Sequence, residues 1–238
     1  MAAAENEFAG RIAVITGASS GIGSATAKAF VARGARVAVF ARSKDKLETL
    51  ASGHRDQVIA VSGDAAEEKD IDRLFGEVEK RFGDAGILVN CAGMIDPGHL
   101  VDVTPDRWDR MFAVNVRGTY LAARRALPRM LAHRSGSIVN VASISGVLGP
   151  EKFPRFVSYN ASKAAVIALT EALAVEVRGT GVRVNCVSPG SVDTKMWAEA
   201  SGGAPADMTP EEVAETILFL ASDRSRPVNG QNLHVYGA

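Results

Sequence analysis

Tyr159 and Lys163 stand four residues apart in the stretch Tyr159-Asn160-Ala161-Ser162-Lys163. On a helix that spacing brings both side chains to one face, one turn apart. A free phenol loses its proton near pH ~10. A neighbouring positive charge favours the phenolate and lowers that value. The pair is therefore a candidate proton donor and acceptor for chemistry near neutral pH. The same spacing also suits two surface residues packed along a helix, so its meaning rests on what accompanies it.

A second chemical feature lies near the N-terminus. Residues 11–16, Arg-Ile-Ala-Val-Ile-Thr, read as a short buried strand. Gly17-Ala18-Ser19-Ser20-Gly21-Ile22-Gly23 follows, and residues 24–33 read as a helix that Gly34 ends. A strand, a glycine-rich turn and a helix N-terminus make a cradle for phosphate. The glycines permit the tight turn and let backbone approach a pyrophosphate. Free N–H groups at the helix start then face negative charge. The spacing is not Gly-x-Gly-x-x-Gly, so alone it also fits a plain strand-to-helix connection.

Together these features resemble the short-chain dehydrogenase/reductase family. Its Thr-Gly-x-x-x-Gly-x-Gly motif is matched at residues 16–23, and its Asn-Asn-Ala-Gly motif at Asn90-Cys91-Ala92-Gly93, where Cys91 replaces the second Asn. Asn115 matches the family's helical Asn, Ser143 the catalytic serine, and Tyr159 with Lys163 the active-site pair. Pro189-Gly190 matches the turn after the sixth strand. The matches run in order from about residue 8 to the C-terminus. The resemblance implies hydride transfer to or from a nicotinamide, with Tyr159 giving the carbonyl oxygen its proton and Ser143 holding that oxygen. It further implies that Lys163 binds the nicotinamide ribose and that Asn115 holds a water linking Lys163 to solvent.

Cofactor choice is legible after the second strand, in Val39-Phe40-Ala41-Arg42-Ser43-Lys44. NAD enzymes place an acidic residue there to bond the ribose 2′-OH. Here Ala41 takes that place, and Arg42 follows, able to meet a 2′-phosphate or to stack on adenine. This points to NADP(H), with NAD(H) as the alternative. Ser20 occupies a position where some NADP enzymes carry a second basic residue. Asp64 matches the family residue near adenine. Expected cofactor contacts extend to Ser19, Ile22, Ala65, Asn90, Ala92, Gly93, Pro189, Gly190, Val192 and Thr194. Phe153, Phe156, Met196 and Trp197 form either an apolar substrate pocket or a subunit contact, while Glu151, Lys152 and Arg155 read as solvated rim. His54, His99, His133 and His234 lack ligand spacing, and no metal motif is present.

The elements that must position these groups are readable. Apolar strands at 37–40, 58–61, 87–89, 137–141, 182–187 and 233–235 alternate with helical patterns such as 67–82 and 157–178. Strands apolar along their length and separated by helices imply a parallel sheet covered on both faces, doubly wound by right-handed crossovers. The expected fold is an α/β Rossmann-type single domain over 1–238, with residues 1–8 a loose segment and 201–205 a flexible part of a loop. A chain of 238 residues suffices for one core. Lys plus Arg (27) equals Asp plus Glu (27), which gives no electrostatic reason for nucleic acid or an anionic membrane as partner. No signal peptide or membrane-length apolar run is read. The two cysteines, Cys91 and Cys186, read as buried thiols of a reducing, cytoplasmic compartment.

Three functions fit: an NADP(H)-dependent carbonyl reductase or secondary-alcohol dehydrogenase, an NAD(H)-dependent dehydrogenase of the same fold, or a non-catalytic dinucleotide sensor. A sensor has no need of Ser143, Tyr159 and Lys163 together. A nucleotide-sugar epimerase lacks room for its extra C-terminal region. The expected partners are a small-molecule ketone or secondary alcohol and further copies of the chain, as a homotetramer or else a dimer. Assembly is expected through the helix over 117–133, the helix after Tyr159, and residues 213–235.

Overall fold

Seven strands form one sheet in the order β3-β2-β1-β4-β5-β6-β7, and every neighbouring pair is parallel. The structure is a computed structural model that describes residues 6–150 and 152–237. The strands are β1 Ile12–Thr16, β2 Arg36–Ala41, β3 Val58–Ser62, β4 Ile87–Asn90, β5 Gly136–Val141, β6 Val182–Pro189 and β7 Asn232–Val235. The helices are α1 Gly21–Ala32, α2 Lys44–Ser52, α3 Glu68–Arg81, α4 Pro105–Phe112, α5 Gly118–His133, α6 Val157–Glu176, α7 Lys195–Ser201 and α8 Pro210–Ala221. The fold is the doubly wound Rossmann type. Chain order runs outward from β1 through β2 to β3, then returns to β4 on the other side. A crevice opens where that direction reverses.

The strands alternate as a sheet covered on two faces must. Ala13, Ile15, Val37, Val39, Ile87 and Val89 enter one core with Phe30 of α1 and Ile217 of α8. Val14, Ala38, Phe40, Leu88 and Ile138 enter the other, against Leu74 of α3 and Leu121 of α5. Polar residues start the helices. Thr104 accepts a bond from Arg107 N ahead of Pro105 in α4, and Thr209 with Glu212 closes a capping box on α8.

Two expectations need correction. Helix α1 begins at Gly21, three residues before the expected 24, because the glycine turn itself supplies the first helical turn. Residues 1–5 of the N-terminal segment lie outside the described residues, but residue 8 is not loose: Phe8 is 1% exposed, and its ring meets Phe30 edge-on at 4.7 Å. Phe8 N also donates to Arg33 O at 2.9 Å. Truncating that ring leaves a cavity against α1. Phe8→Ala should cost about 3–5 kcal/mol, read as a lower urea midpoint with cofactor binding unchanged in the absence of denaturant. An unchanged midpoint would contradict this packing.

Candidate active site

The crevice at the strand reversal holds a cleft of about 340 Å³. Its floor is the glycine turn: Gly17, Ser19, Ser20, Gly21, Ile22 and Gly23 all line it. Close packing explains the glycines. A Cβ on Gly17 would lie 2.6 Å from Ala92 N, and one on Gly23 would lie 2.4 Å from Gly17 O. Thr16 Oγ1 accepts from Ala92 N at 3.2 Å, tying β1 to the loop after β4. That loop brings Ala92 and Gly93 to the cleft. Ser20, at the N-cap of α1, makes no side-chain cap bond, and the first turn carries no acidic residue. The helix start therefore keeps amide donors and positive potential for an anion, which fits the pyrophosphate of a dinucleotide.

One end of the cleft is basic. Ala41, Arg42, Ser43, Asp64 and Ala65 line it, as expected from sequence. Arg42 is exposed. Asp64 Oδ1 accepts from Ala66 N at 2.9 Å, and Oδ2 accepts from Arg110 Nη2 at 2.6 Å. Burial works to raise the Asp64 carboxyl, but the Arg110 and Ala66 bonds and the charges of Arg110 and Arg42 outweigh it and hold it below its ordinary value. Arg110, which also lines the cleft, was not singled out in the sequence. It lies on α4, 46 residues from Asp64, and no local pattern joins the two.

The other end holds the phenol and the ammonium. Tyr159 and Lys163 sit one turn apart on α6, only 9% and 5% exposed. Lys163 Nζ donates to Val141 O at the end of β5, 2.8 Å away, and lies 5.8 Å from the Tyr159 ring centroid. Ser143 follows β5 and opens the 3-10 turn Ile144–Gly146, with its Oγ accepting from Ser145 N at 3.1 Å. That turn packs directly on α6, since a Cβ on Gly146 would lie 2.5 Å from the Lys163 carbonyl carbon. Burial pushes the Tyr159 phenol up to about 12, with a Ser143 hydrogen bond pulling the other way. Burial pushes the Lys163 ammonium down to about 8. The expected lowering of Tyr159 by Lys163 is thus reversed in the protein alone: desolvation dominates at both groups, and the ammonium is aimed at a carbonyl.

Two asparagines sit elsewhere than expected. Asn115 lines neither this cleft nor the cavity beside it. It is fully buried in a π-turn, Ala113–Arg117, between α4 and α5. Its Oδ1 accepts from Met94 N at 2.8 Å, and its Nδ2 donates to Met94 O at 3.0 Å and Ser162 Oγ at 2.9 Å. These bonds clamp the loop carrying Gly93, where an added Cβ would meet Asn115 Oδ1 and Lys163 Nζ, each at 3.5 Å. In this structure Asn115 positions the loop, and its amide hydrogens are spent on Met94 O and Ser162 Oγ. Asn90 does not line the cleft either. It bridges β4 to β5 and α6 through Asn140 Oδ1 (2.9 Å), and Asn140 in turn donates to Thr170 Oγ1 (2.9 Å). Its own Oδ1 has no partner among the described residues.

A second cavity, of about 560 Å³, adjoins the first, and Tyr159 lines both. Ser143, Phe153, Phe156, Met196 and Trp197 line the second, so the expected pocket residues converge there. Phe153 is edge-on to Trp197 at 6.4 Å, and Phe156 to Tyr159 at 6.4 Å. Pro189, Gly190 and Val192, expected at the cofactor, line this second cavity instead, while Thr194 lines both. Arg155 O accepts from Gly98 N at 2.9 Å, pinning the aromatic stretch to the loop after β4. The glycine-containing stretch 201–205, expected to be flexible, is tied in place: Trp197 Nε1 donates to Ala204 O at 2.9 Å. Lys152 is exposed and its Nζ donates to Val147 O. Glu151 lies outside the described residues. Cys91 and Cys186 are free thiols. Among the described residues no three His, Cys, Asp or Glu side chains gather as for a metal ion, and no helix is long and apolar enough to cross a membrane.

Comparison with known proteins agrees with this architecture. The short chain dehydrogenase family model matches residues 11–204. An uncharacterized oxidoreductase of Staphylococcus aureus (strain MRSA252) is 39% identical over 88% of this chain and 90% of its own length. One from Staphylococcus haemolyticus (strain JCSC1435) is 37% identical, covering 90% and 91%. A solved short chain dehydrogenase/reductase family protein superposes with a TM-score of 0.89 at 35% identity, covering 98% of each chain. A Brucella melitensis 16M protein described as ribose-5-phosphate isomerase superposes at 0.90 with 36% identity, covering 98% and 93%. Sequence, sheet order and cleft thus converge: the chain belongs to the short-chain dehydrogenase/reductase family and is an oxidoreductase of that family.

Proposed function

We propose that the chain is an NADP(H)-dependent carbonyl reductase or secondary-alcohol dehydrogenase in which Tyr159 is the general acid of reduction and the general base of oxidation. One observation carries this reading. Tyr159 stands where the cofactor cleft meets an apolar cavity, with Ser143 and Lys163 beside it. The family uses NAD(P)(H), and the bound nicotinamide supplies or accepts hydride. The amides at the start of α1 would hold the pyrophosphate and Lys163 the ribose at the nicotinamide end. Ser143 would hold the substrate oxygen against Tyr159. A phenol raised to about 12 stays protonated at neutral pH, so Tyr159 holds the proton that reduction requires.

NADP(H) is favoured at the basic end. Ala41 leaves no carboxylate for a ribose 2′-hydroxyl, and the exposed Arg42 has no ion-pair partner among the described residues. Asp64, the one carboxylate lining the cleft among the described residues, is neutralised by Arg110. A 2′-phosphate therefore meets net positive charge. The same reading places the enzyme in the cytoplasm as a homotetramer, or else a dimer, acting on a small molecule. The free thiols suit a reducing compartment.

Tyr159→Phe should lower kcat by about 10²- to 10⁴-fold while the cofactor dissociation constant stays within a small factor. Retained turnover would remove Tyr159 from the chemistry.

Between pH 6 and 8, below the Lys163 midpoint of about 8, kcat/KM for reduction should stay nearly level because the phenol remains protonated. Over the same window the oxidative kcat/KM should rise, by as much as about tenfold per pH unit, as the phenolate fraction grows. A flat oxidative profile would contradict Tyr159 as the base.

A charge-assisted contact to phosphate is worth about 1.5–3 kcal/mol, or roughly 10- to 150-fold. NADPH should therefore exceed NADH in kcat/KM by about tenfold or more. Arg42→Ala should erase most of that margin by weakening NADPH, and Ala41→Asp should reverse it. Equal kcat/KM for the two cofactors would instead favour the NAD(H) reading.

A further inference from the structure

We infer that the substrate is a ketone, or the matching secondary alcohol, whose substituents are both apolar and include at least one ring, and that ketoses and other polyhydroxylated carbonyls are excluded. The inference rests on the proposed function and names the substrate class of the same site. It follows from which polar groups on the second cavity's wall are already spent. Thr194 Oγ1 donates to Val192 O and accepts from Trp197 N, each at 3.2 Å. Ser191 Oγ donates to Asp207 Oδ2 at 2.6 Å and accepts from Asp207 N at 2.9 Å. Ser201 Oγ accepts from Ala204 N at 3.0 Å. The Trp197 indole N–H is used by the Ala204 carbonyl. Those hydroxyls and the indole N–H thus serve the loop around α7, while the Tyr236 hydroxyl and the Asp207 carboxylate, also on the wall, belong to exposed residues that keep their water.

What remains free at depth is clustered at one point. Ser143 and Tyr159 offer hydrogen bonds there, with the Ser145 hydroxyl next in line. That set matches a single oxygen. Around it stand Phe153, Phe156, Trp197, Met196, Ile95 and Ile144. Arg155 is on the wall but exposed, with a φ of 72°, so its guanidinium keeps its water and adds no buried charge. Apolar substituents gain by leaving water here, and a ring gains further from edge-on contact with Phe153 and Trp197. Each substrate hydroxyl buried against this wall without a partner costs about tenfold or more in binding. The cavity volume of about 560 Å³ accommodates a one- or two-ring ketone, within the range of small-molecule sites.

The test compares ketones that differ in their substituents. With NADPH, propiophenone and 1-tetralone should show kcat/KM at least about 100-fold above dihydroxyacetone and ribulose, two missing partners at about tenfold each. Phe153→Ala, at a half-exposed site, and the milder Trp197→Phe should raise KM for the aryl ketones several-fold and leave the NADPH dissociation constant unchanged. Binding is also measured by calorimetry on the unmodified protein with NADP+, a complex that has no hydride to give and so does not depend on turnover. Saturable uptake of propiophenone but not ribulose supports the inference. A preference for the ketoses, equal rates, or no propiophenone binding to that complex overturns it. None of those three results bears on whether Tyr159 is the acid, which the kinetics of Tyr159→Phe decide separately.

Discussion

A lysine ammonium held out of water is the constraint around which this site is built. Burial disfavours its charge, and the structure answers with placement. Val141 ends β5, so its carbonyl can accept from Lys163 Nζ. Gly146 lets the turn after β5 lie directly on the α6 backbone at Lys163. Gly93 packs beside the ammonium, and the Asn115 clamp holds its loop there. Even the helix irregularity fits: the π-turn at Ala113–Arg117 carries Asn115 into the core, a use such bulges often serve. The same packing removes Tyr159 from solvent. The two titratable groups are therefore displaced in opposite directions, the phenol up and the ammonium down.

The parallel sheet makes that arrangement possible. All seven strands point the same way, so β1, β4, β5 and β6 deliver their following loops to one edge. The glycine turn, the Gly93 loop, Ser143 and the Pro189-Gly190 turn each follow a different strand. Their convergence is a property of topology. The reversal of strand order between β1 and β4 leaves the gap that a ligand can enter. Thr16 and Ala92 then tie the two sides of that gap together.

How much of this was legible in the sequence depended on distance along the chain. The glycine turn and the Tyr159–Lys163 pair are local, one element each, and helix geometry alone places them. The aromatic cluster was legible too, since Phe153 and Phe156 are neighbours and Met196 and Trp197 adjoin, though their convergence on one cavity needed the fold. Asn90 was read as a cofactor contact and Asn115 as the holder of a water at Lys163, because their types and positions suit those roles. The partner of a buried amide is chosen by tertiary pairing, however, and these two found Asn140, Met94 and Ser162. Arg110 was invisible because its partner Asp64 comes from another element. The sign of the Tyr159 shift was misjudged for a related reason: spacing reveals a nearby charge, but only the fold reveals how completely both groups are buried.

Titration of Lys163 tests the central claim most directly, that a buried ammonium anchors the site. Lysine labelled with ¹³C at Cε reports each side chain by NMR, and the Lys163 signal is the one lost in Lys163→Met. Followed from pH 6 to 11 in the protein alone, that signal should titrate with a midpoint near 8. A midpoint at the ordinary lysine value of about 10.5 would mean a solvated ammonium, and the account of the site given above would fail.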